Sequence, residues 1–276
     1  MPIATKRIKT FLIASCVLGG CYNAPEQPST KESVVHLITE PSKTPKKQTQ
    51  EPYHCFFIPP KGWQFADQSK LSHRIKICFL GKTSNNLQPS VNLATEKVNI
   101  SLKAYIEIVR SDCAKDPNCV WRDLGKYHTP LGEGRLTERE MKTKWGLARQ
   151  VQLIVIKDNQ AYILTAGALK EEFSSHYQDF EAVLKSLTIT DDLTSPIMPL
   201  EKRALLQSKI KTLEADFDAA MTKAETVEKA FNTVDFQKET WEPFHQMIIN
   251  DFTEMGPYWQ ILLLRDIQYQ LLKRHS

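Results

Sequence analysis

The sequence lacks the short motifs that mark common catalytic sites. It contains no G-x-S-x-G, H-E-x-x-H, P-loop or G-x-G-x-x-G pattern. Five of its seven histidines are scattered along the folded part, and none of these stands at metal-ligand spacing from another: His54, His73, His128, His176 and His245. We therefore predict a non-enzymatic protein with no catalytic residues, no metal site and no cofactor.

The sequence also lacks a hydrophobic run long enough to span a membrane and an excess of either charge. The formal net charge is +4, and removal of residues 1–20 lowers it to +1, because Lys6, Arg7 and Lys9 stand there with no acidic residue. The rest of the chain shows no clustering of Lys and Arg of the kind that binds nucleic acid. Nucleic acid is therefore excluded as a partner.

The first 21 residues have the pattern of a secretory signal. A basic start precedes a short apolar run and small residues, whereas a transmembrane helix needs ~20 apolar residues. The run ends in Leu18-Gly19-Gly20-Cys21, which looks like the lipobox of bacterial lipoproteins. That resemblance implies cleavage between Gly20 and Cys21 and acylation of Cys21. The alternative is an ordinary signal peptide with a chance cysteine.

Residues 21–52 are predicted to be the lipidated cysteine and a disordered tether. The 31 residues after Cys21 include five prolines and balanced charges, so they cannot bury a core. As a coil they would reach roughly 30 Å. Acyl chains on Cys21 would hold the protein on a membrane, since each buried CH₂ contributes ~0.8 kcal/mol. We expect a location in the bacterial cell envelope, with the domain facing the periplasm or the exterior. Tyr22, in place of Asp, favours the outer membrane over the inner one.

Four cysteines remain after the signal and the lipidated residue, and an exported chain permits disulfides. Cys113 and Cys119 bracket the turn-rich loop Ala-Lys-Asp-Pro-Asn, so we predict that they form a disulfide. The C-x₅-C spacing does not fit a usual zinc site. Cys55 and Cys78 fall in two predicted strands, and a second disulfide and two buried thiols are equally consistent with that placement.

The pattern from residue 53 onward predicts strands and helices of an α+β domain over 53–195. Alternating apolar residues mark strands near 53–58, 74–80 and 90–97, and later near 120–127, 135–142, 146–157 and 160–168. Leu102, Tyr105, Ile106 and Val109 share one helical face, with Ser101 as the N-cap. A second helix is indicated between Phe173 and Leu187. This order favours a mostly antiparallel sheet flanked by helices. The charge runs at 138–140 and 142–144 are interpreted as solvated faces.

Several stretches of this domain resemble PsbP-like domains. They include the strand running into Pro60-Lys61-Gly62-Trp63, the strand that begins Pro89-Ser90-Val91-Asn92-Leu93, and the strand Gln160–Ala166. The resemblance covers roughly residues 53–190 and extends to bacterial lipoproteins of the DcrB and LpqN types. It implies an α/β/α sandwich and a binding or assembly role. The chain departs from the family in its Cys113–Cys119 loop and its 80 extra C-terminal residues.

The C-terminal extension, residues 196–276, is predicted to be helical. Apolar residues recur at alternating spacings of three and four, typical of a coiled-coil seam: Leu206, Ile210, Leu213, Phe217, Ala220, Ala224, Val227, Phe231 and Val234. The seam predicts one helix over Leu200–Val234. A second apolar stripe runs from Trp241 to Leu263. We expect the two stripes to pack within one chain as an antiparallel hairpin of two or three helices; the alternative is a homodimeric coiled coil that leaves the second stripe exposed.

These features together predict a lipid-anchored envelope lipoprotein that acts as a non-enzymatic binding or assembly module, with a protein partner at the helical extension. Two alternatives remain open at this point. One is an envelope hydrolase with its site in a cleft between the two domains. The other is a carrier of an apolar ligand inside the sandwich.

Replacement of Cys21 tests the lipobox. Cys21→Ser should abolish incorporation of labelled fatty acid, because the acyl acceptor is the thiol of that residue. Cys16→Ser, within the apolar run, is the matched control and should keep the label. Acyl labelling that persists in the Cys21→Ser protein would falsify the lipoprotein assignment.

Overall fold

The computed structural model describes residues 53–83, 85–129 and 132–274. The predicted signal segment, Gly20, Cys21 and the tether lie outside these ranges. The described residues divide into two compact units: the first is 60–187, and the second joins 53–59 to 188–274. The predicted boundary at 195/196 separates two domains that are expected to fold independently. That expectation stays a prediction.

The first unit is built on a seven-stranded, fully antiparallel sheet. Its strands follow the order β2-β3-β4-β8-β7-β6-β5 across the sheet. The bounds in chain order are β2 Gln64–Phe65, β3 Ile75–Leu80, β4 Ser90–Lys97, β5 Cys119–Thr129, β6 Gly132–Thr143, β7 Gly146–Lys157 and β8 Gln160–Leu169. A further pair, β1 His54–Phe56 and β9 Thr188–Thr190, forms a separate two-stranded sheet in the second unit.

Three helices accompany the large sheet: α1 Leu102–Ala114, α2 Lys170–Phe173 and α3 Tyr177–Lys185. The side chain of Ser101 accepts a hydrogen bond from the backbone N–H of Ala104 at 3.3 Å and caps α1 as predicted. Short 3₁₀ turns lie at 68–70 and 174–176. The predicted α+β class, an antiparallel sheet flanked by helices with a helical region after it, is confirmed.

Apolar side chains fill both sides of the sheet. On one side α1 inserts Tyr105 and Ile106 into a buried cluster that includes Ile154 and Ile163. On the other side Phe180 of α3 packs against Trp63 and Phe173, with ring centroids 6.2 and 5.2 Å apart. The sheet is therefore covered by helices on both faces.

Four helices form the bulk of the second unit: α4 Leu200–Met221, α5 Val227–Phe231, α6 Glu242–Asp251 and α7 Pro257–Arg274. A π-helical turn at 236–241 leads into α6, and a 3₁₀ turn lies at 253–255. Trp259 is fully buried, and its indole N–H donates to the carbonyl of Leu193 at 2.9 Å. Gln260 donates to the carbonyls of Ile248, Ile249 and Phe252 and so satisfies the C-terminal end of α6.

The prediction of a single helix over Leu200–Val234 is wrong. Helix α4 ends at Met221, and Val234 is 65% exposed. After the break, the side chain of Thr226 accepts from the N–H of Lys229 and starts the short helix α5. The turn brings Phe231 back onto Phe217, with ring centroids 6.2 Å apart. A continuous helix would have carried Phe231 away from that contact, so aromatic packing overrides the heptad spacing.

The apolar stripes of the second unit lie on three main helices, α4, α6 and α7. Arg274 at the end of α7 pairs with Glu214 at 3.0 Å, and Lys202 at the start of α4 pairs with Glu254 just before α7. Helices α4 and α7 therefore run in the same direction. Both predicted apolar stripes bury their main members within this chain, among them Leu206, Leu213, Phe217, Trp241, Phe244, Ile248, Trp259 and Leu263.

No helix among the described residues is long and apolar enough to cross a membrane.

The buried stripe of α4 should dominate the stability of the second unit. Phe217→Asp in the full chain should lower the free energy of unfolding by more than ~3 kcal/mol, because it removes a fully buried ring and inserts a charge. Lys209→Asp, on the exposed side of the same helix, should change it by no more than about 0.5 kcal/mol. Urea denaturation followed by circular dichroism measures both. Equal effects of the two substitutions would contradict the packing described.

Removal of the disulfide should weaken the first unit. Cys113 and Cys119 are bonded and their Cα atoms are 5.5 Å apart, so the bond closes a short loop at the end of α1. The double substitution Cys113→Ala and Cys119→Ala should lower the unfolding free energy by roughly 2 kcal/mol. A reductant should destabilise the native chain by a similar amount and leave the double variant unchanged. A native chain that is insensitive to reductant is the contrary result.

Candidate functional site

The register of the sheet gathers polar side chains on one face. Antiparallel partners point to the same side, and two adjacent rows of partners on four strands are polar except at Gly167 of β8. We call these residues the polar band: Ser90 and Asn92 on β4, Thr165 on β8, Gln150 and Gln152 on β7, and Thr137 and Arg139 on β6. The face is the one on which α1 packs.

The polar band has apolar neighbours on either side along the strands. Ala94, Ile163 and Ile154 occupy the next row in one direction. Leu169, Ala148 and Met141 occupy the next row in the other direction. The two polar rows thus lie between apolar positions of β7 and β8, whereas on β6 the charged Arg135 stands opposite Ile154.

Every member of the polar band is buried, with an exposed fraction of 8% or less. Burial of polar groups costs free energy unless each group finds a hydrogen-bond partner. A band of seven such residues therefore raises the question of where their hydrogen bonds go.

Two hydrogen bonds link side chains inside the polar band. The amide of Gln152 donates to the hydroxyl of Thr165 at 3.0 Å, and Nε of Arg139 donates to Oε1 of Gln150 at 2.8 Å. The side chain of Gln150 lies directly over Gly167, where an added Cβ would stand 2.6 Å from Cγ of Gln150. Only glycine leaves room for this arrangement.

Other polar atoms on this face have no hydrogen-bond partner among the described residues, although they are buried. They are Oδ1 of Asn92, Oγ1 of Thr137, one terminal nitrogen of Arg139 and the indole nitrogen of Trp121. Trp121 stands opposite Arg139 on β5. Three of the four atoms thus belong to neighbouring positions of β5 and β6. Such groups are rare in folded proteins, and each calls for an explanation.

The charge of Arg139 is the main electrostatic feature of the face. Burial lowers the pKa of its guanidinium to about 10, so the group still carries its proton at neutral pH. No carboxylate within the described ranges forms an ion pair with it. Asp123, across from Thr137, is already bound by Arg135, and hydrogen bonds from Arg135 hold the pKa of Asp123 below its usual value.

On the opposite face of the same strands, by contrast, the buried charged groups are paired. There Glu138 accepts from Arg122 at 2.8 Å and also from Arg149, and Glu140 accepts from Lys170 at 2.8 Å. These carboxylates are buried but each has a cationic partner. The prediction that residues 138–140 form a solvated face is wrong, because cross-strand and helical cations cover the two carboxylates and the sheet buries Arg139.

The predicted cysteine sites fall in separate places. Gly20 and Cys21 lie outside the described residues. Cys113 and Cys119 form a disulfide that ties the end of α1 to the start of β5. Cys55 and Cys78 are both buried thiols rather than a disulfide, and Cys55 belongs to the second unit whereas Cys78 belongs to the first. Cys78 lies next to Asn92, at the end of the polar band.

The second unit contains a cavity of about 210 Å³ with acidic residues in its lining. Two of the carboxylates have basic side chains beside them: Asp266 lies 3.8 Å from Nε2 of His54, and Glu214 pairs with Arg274. A third, Asp192, accepts from the backbone N–H and hydroxyl of Thr194. No group of three or more metal-ligating side chains that could hold a metal ion occurs in the part of the chain that the structure describes.

The sequence interpretation missed the polar band, yet a signal for it was present. The predicted strands near 146–157 and 160–168 are separated by Asp158-Asn159 alone, and a tight hairpin at these two residues places Gln152 opposite Thr165. Polar residues at alternate positions in the most apolar hairpin of the chain could therefore have been recognised as one polar face.

Comparison with known proteins gives similarity of structure without similarity of sequence. No protein family matches the sequence, and no curated protein matches it. Among solved structures, the chain is similar to LpqN, involved in cell envelope biogenesis of Mycobacterium tuberculosis. The identity is 13%, the match covers 51% of this chain and 87% of that one, and the TM-score is 0.40.

Two further solved structures show a similar degree of likeness. One is cyanobacterial PsbP from Synechocystis, with 8% identity, coverage of 50% of this chain and 92% of that one, and a TM-score of 0.37. The other is a protein of Pseudomonas aeruginosa, with 8% identity, coverage of 52% and 88%, and a TM-score of 0.35. The structural neighbours thus include PsbP and LpqN, the two kinds of protein that the sequence resembles.

Proposed function

We propose that this chain is a lipid-anchored cell-envelope lipoprotein whose seven-stranded unit is a non-enzymatic binding module. The observation that carries the proposal is the polar band, in which buried polar atoms stand without partners on one face of the sheet. A bound ligand would supply the hydrogen bonds that these atoms lack, and so would offset the cost of burying them.

The chemistry of the polar band favours binding over hydrolysis. Its side chains are amides, hydroxyls and one guanidinium. Such groups hold and orient a polar molecule, but general acid–base catalysis needs a group whose pKa lies near the working pH. The pKa of Arg139, at about 10, lies well above that range.

The same residues favour a polar ligand over an apolar one. The apolar parts of both faces are filled by side chains of the chain itself, such as Tyr105, Ile106 and Phe180. The groups that lack partners are hydrogen-bond donors and acceptors. A polar ligand therefore fits this domain better than the apolar cargo considered from the sequence.

The sheet is also favoured over the helical region as the binding part. The apolar stripes that suggested a protein partner at the helical extension are largely buried within the chain, as Phe217 and Trp259 illustrate. The anchor at Cys21 and a tether of roughly 30 Å would keep the binding module close to the membrane surface.

A single isosteric substitution tests the proposed binding role. Thr137→Val removes a fully buried hydroxyl that has no partner. It should leave the unfolding free energy of the ligand-free protein unchanged or up to about 1 kcal/mol higher. It should also reduce the fraction of protein that carries a non-covalently bound small molecule. Native mass spectrometry after gentle extraction from the envelope measures that fraction, and urea denaturation measures the stability.

Thr95→Val is the matched control, because Thr95 is a buried threonine that points to the other face of the same sheet. It should leave ligand occupancy at the native level. The proposal fails when the native protein carries no small molecule, and equally when the two valine variants carry it to the same extent as the native protein.

A further inference from the structure

We infer that the end of the polar band around Arg139 is a binding site for the oxyanion group of a small ligand, of the carboxylate or phosphate class. This inference rests on the proposed binding function and names the ligand chemistry of that site. The site consists of Trp121, Thr137 and Arg139, with Gln150 as a positioning residue.

The atoms that lack a partner there can all donate a hydrogen bond. A terminal nitrogen of Arg139 and the indole nitrogen of Trp121 can only donate, and the hydroxyl of Thr137 can donate as well. Trp121 and Arg139 are direct cross-strand partners, so their Cβ atoms lie about 4.5–5.5 Å apart. Thr137 is two residues from Arg139 on the same face. The three donors thus belong to neighbouring positions of β5 and β6 on one face of the sheet.

The acceptor on this face that lacks a partner lies elsewhere. Oδ1 of Asn92 belongs to β4, three strands from β6, which at 4.7–4.9 Å per strand is about 14 Å away. A ligand group bound at Arg139 therefore meets donors. An oxygen that bears negative charge is the group that satisfies several donors at once.

The positive charge of Arg139 also favours an anionic ligand. Arg139 is 5% exposed and stands on a sheet face where the neighbouring carboxylate, Asp123, is bound by Arg135. On the opposite face the buried Glu138 and Glu140 are both paired with cations. Arg139 thus lacks the compensation that the buried carboxylates have, and an anionic ligand would provide it.

The guanidinium of Arg139 is also held in a fixed orientation. The hydrogen bond from Nε of Arg139 to Gln150 fixes one edge of the planar guanidinium and leaves the terminal nitrogens for another partner. Gly167 leaves the space in which Gln150 lies. Helix α1, which the disulfide ties to β5, packs on this face against the apolar cluster that Trp121 also contacts. The donors are therefore held in place before a ligand arrives.

The test uses the full-length protein in detergent with two probes, inorganic phosphate and succinate. Either probe should raise the thermal unfolding midpoint saturably, whereas sodium chloride at equal ionic strength should not. The probe that acts at the lower concentration identifies whether phosphate or carboxylate is the better ligand. Arg139→Met should weaken the response at least tenfold and keep or raise the ligand-free midpoint, because it removes a buried charge.

Two further variants complete the experiment. Arg149→Met, on the other face of the sheet, is the matched control and should keep the native response. Trp121→Phe removes one hydrogen-bond donor and little volume, so it should weaken the response several-fold. This variant provides the test if Arg139→Met does not fold. The inference is overturned by the absence of a saturable response to both probes. It is also overturned when Trp121→Phe and every folded Arg139 variant respond like the native protein.

The two proposals can fail separately. A neutral molecule recovered from the envelope-extracted protein, with occupancy that depends on Thr137, supports the binding module and overturns the oxyanion site. A response to phosphate or succinate that depends on Arg139, in a protein that never carries a small molecule in its own envelope, supports the oxyanion site and overturns the proposed function.

Discussion

The pairing register of the large sheet is the constraint on which its two faces depend. Strands β7 and β8 are joined by the two-residue turn Asp158-Asn159, and both residues have positive φ, as the tight hairpin turn requires. That turn sets Gln152 opposite Thr165 and Ile154 opposite Ile163. A slip of one residue would exchange the two faces of a strand. The polar rows, the apolar rows beside them and the contacts with α1 all depend on this single alignment.

Much of the first unit could be predicted because its signals are local. The alternation in β7 and β8, the apolar face of α1 and the cap at Ser101 are read from neighbouring residues. The polar band was not predicted, since its members come from four strands that only the complete register brings together. The burial of Glu138 was missed for the same reason, because its partners Arg122 and Arg149 belong to other strands.

The second unit shows the limit of periodicity as a guide. Spacings of three and four continue past Met221, and they describe a helix that the chain does not form. Regular heptad spacing indicates only which residues tend to be buried. It does not indicate which residues they pack against. Here Phe231 and Phe236 fold back on Phe217. Three aromatic rings packed within the chain stabilise the turn at 222–226 more than one longer helix would.

The polar band and the helical unit therefore use burial in opposite ways. The rings around Phe217 bury apolar surface, which stabilises the fold directly. Arg139 and Thr137 bury polar atoms without partners, which destabilises the ligand-free fold. A ligand that binds only the folded state returns stability in proportion to its concentration. A sheet face of this kind is physically reasonable in a protein that functions with a ligand bound to that face. The surrounding apolar rows stabilise the fold when no ligand is bound.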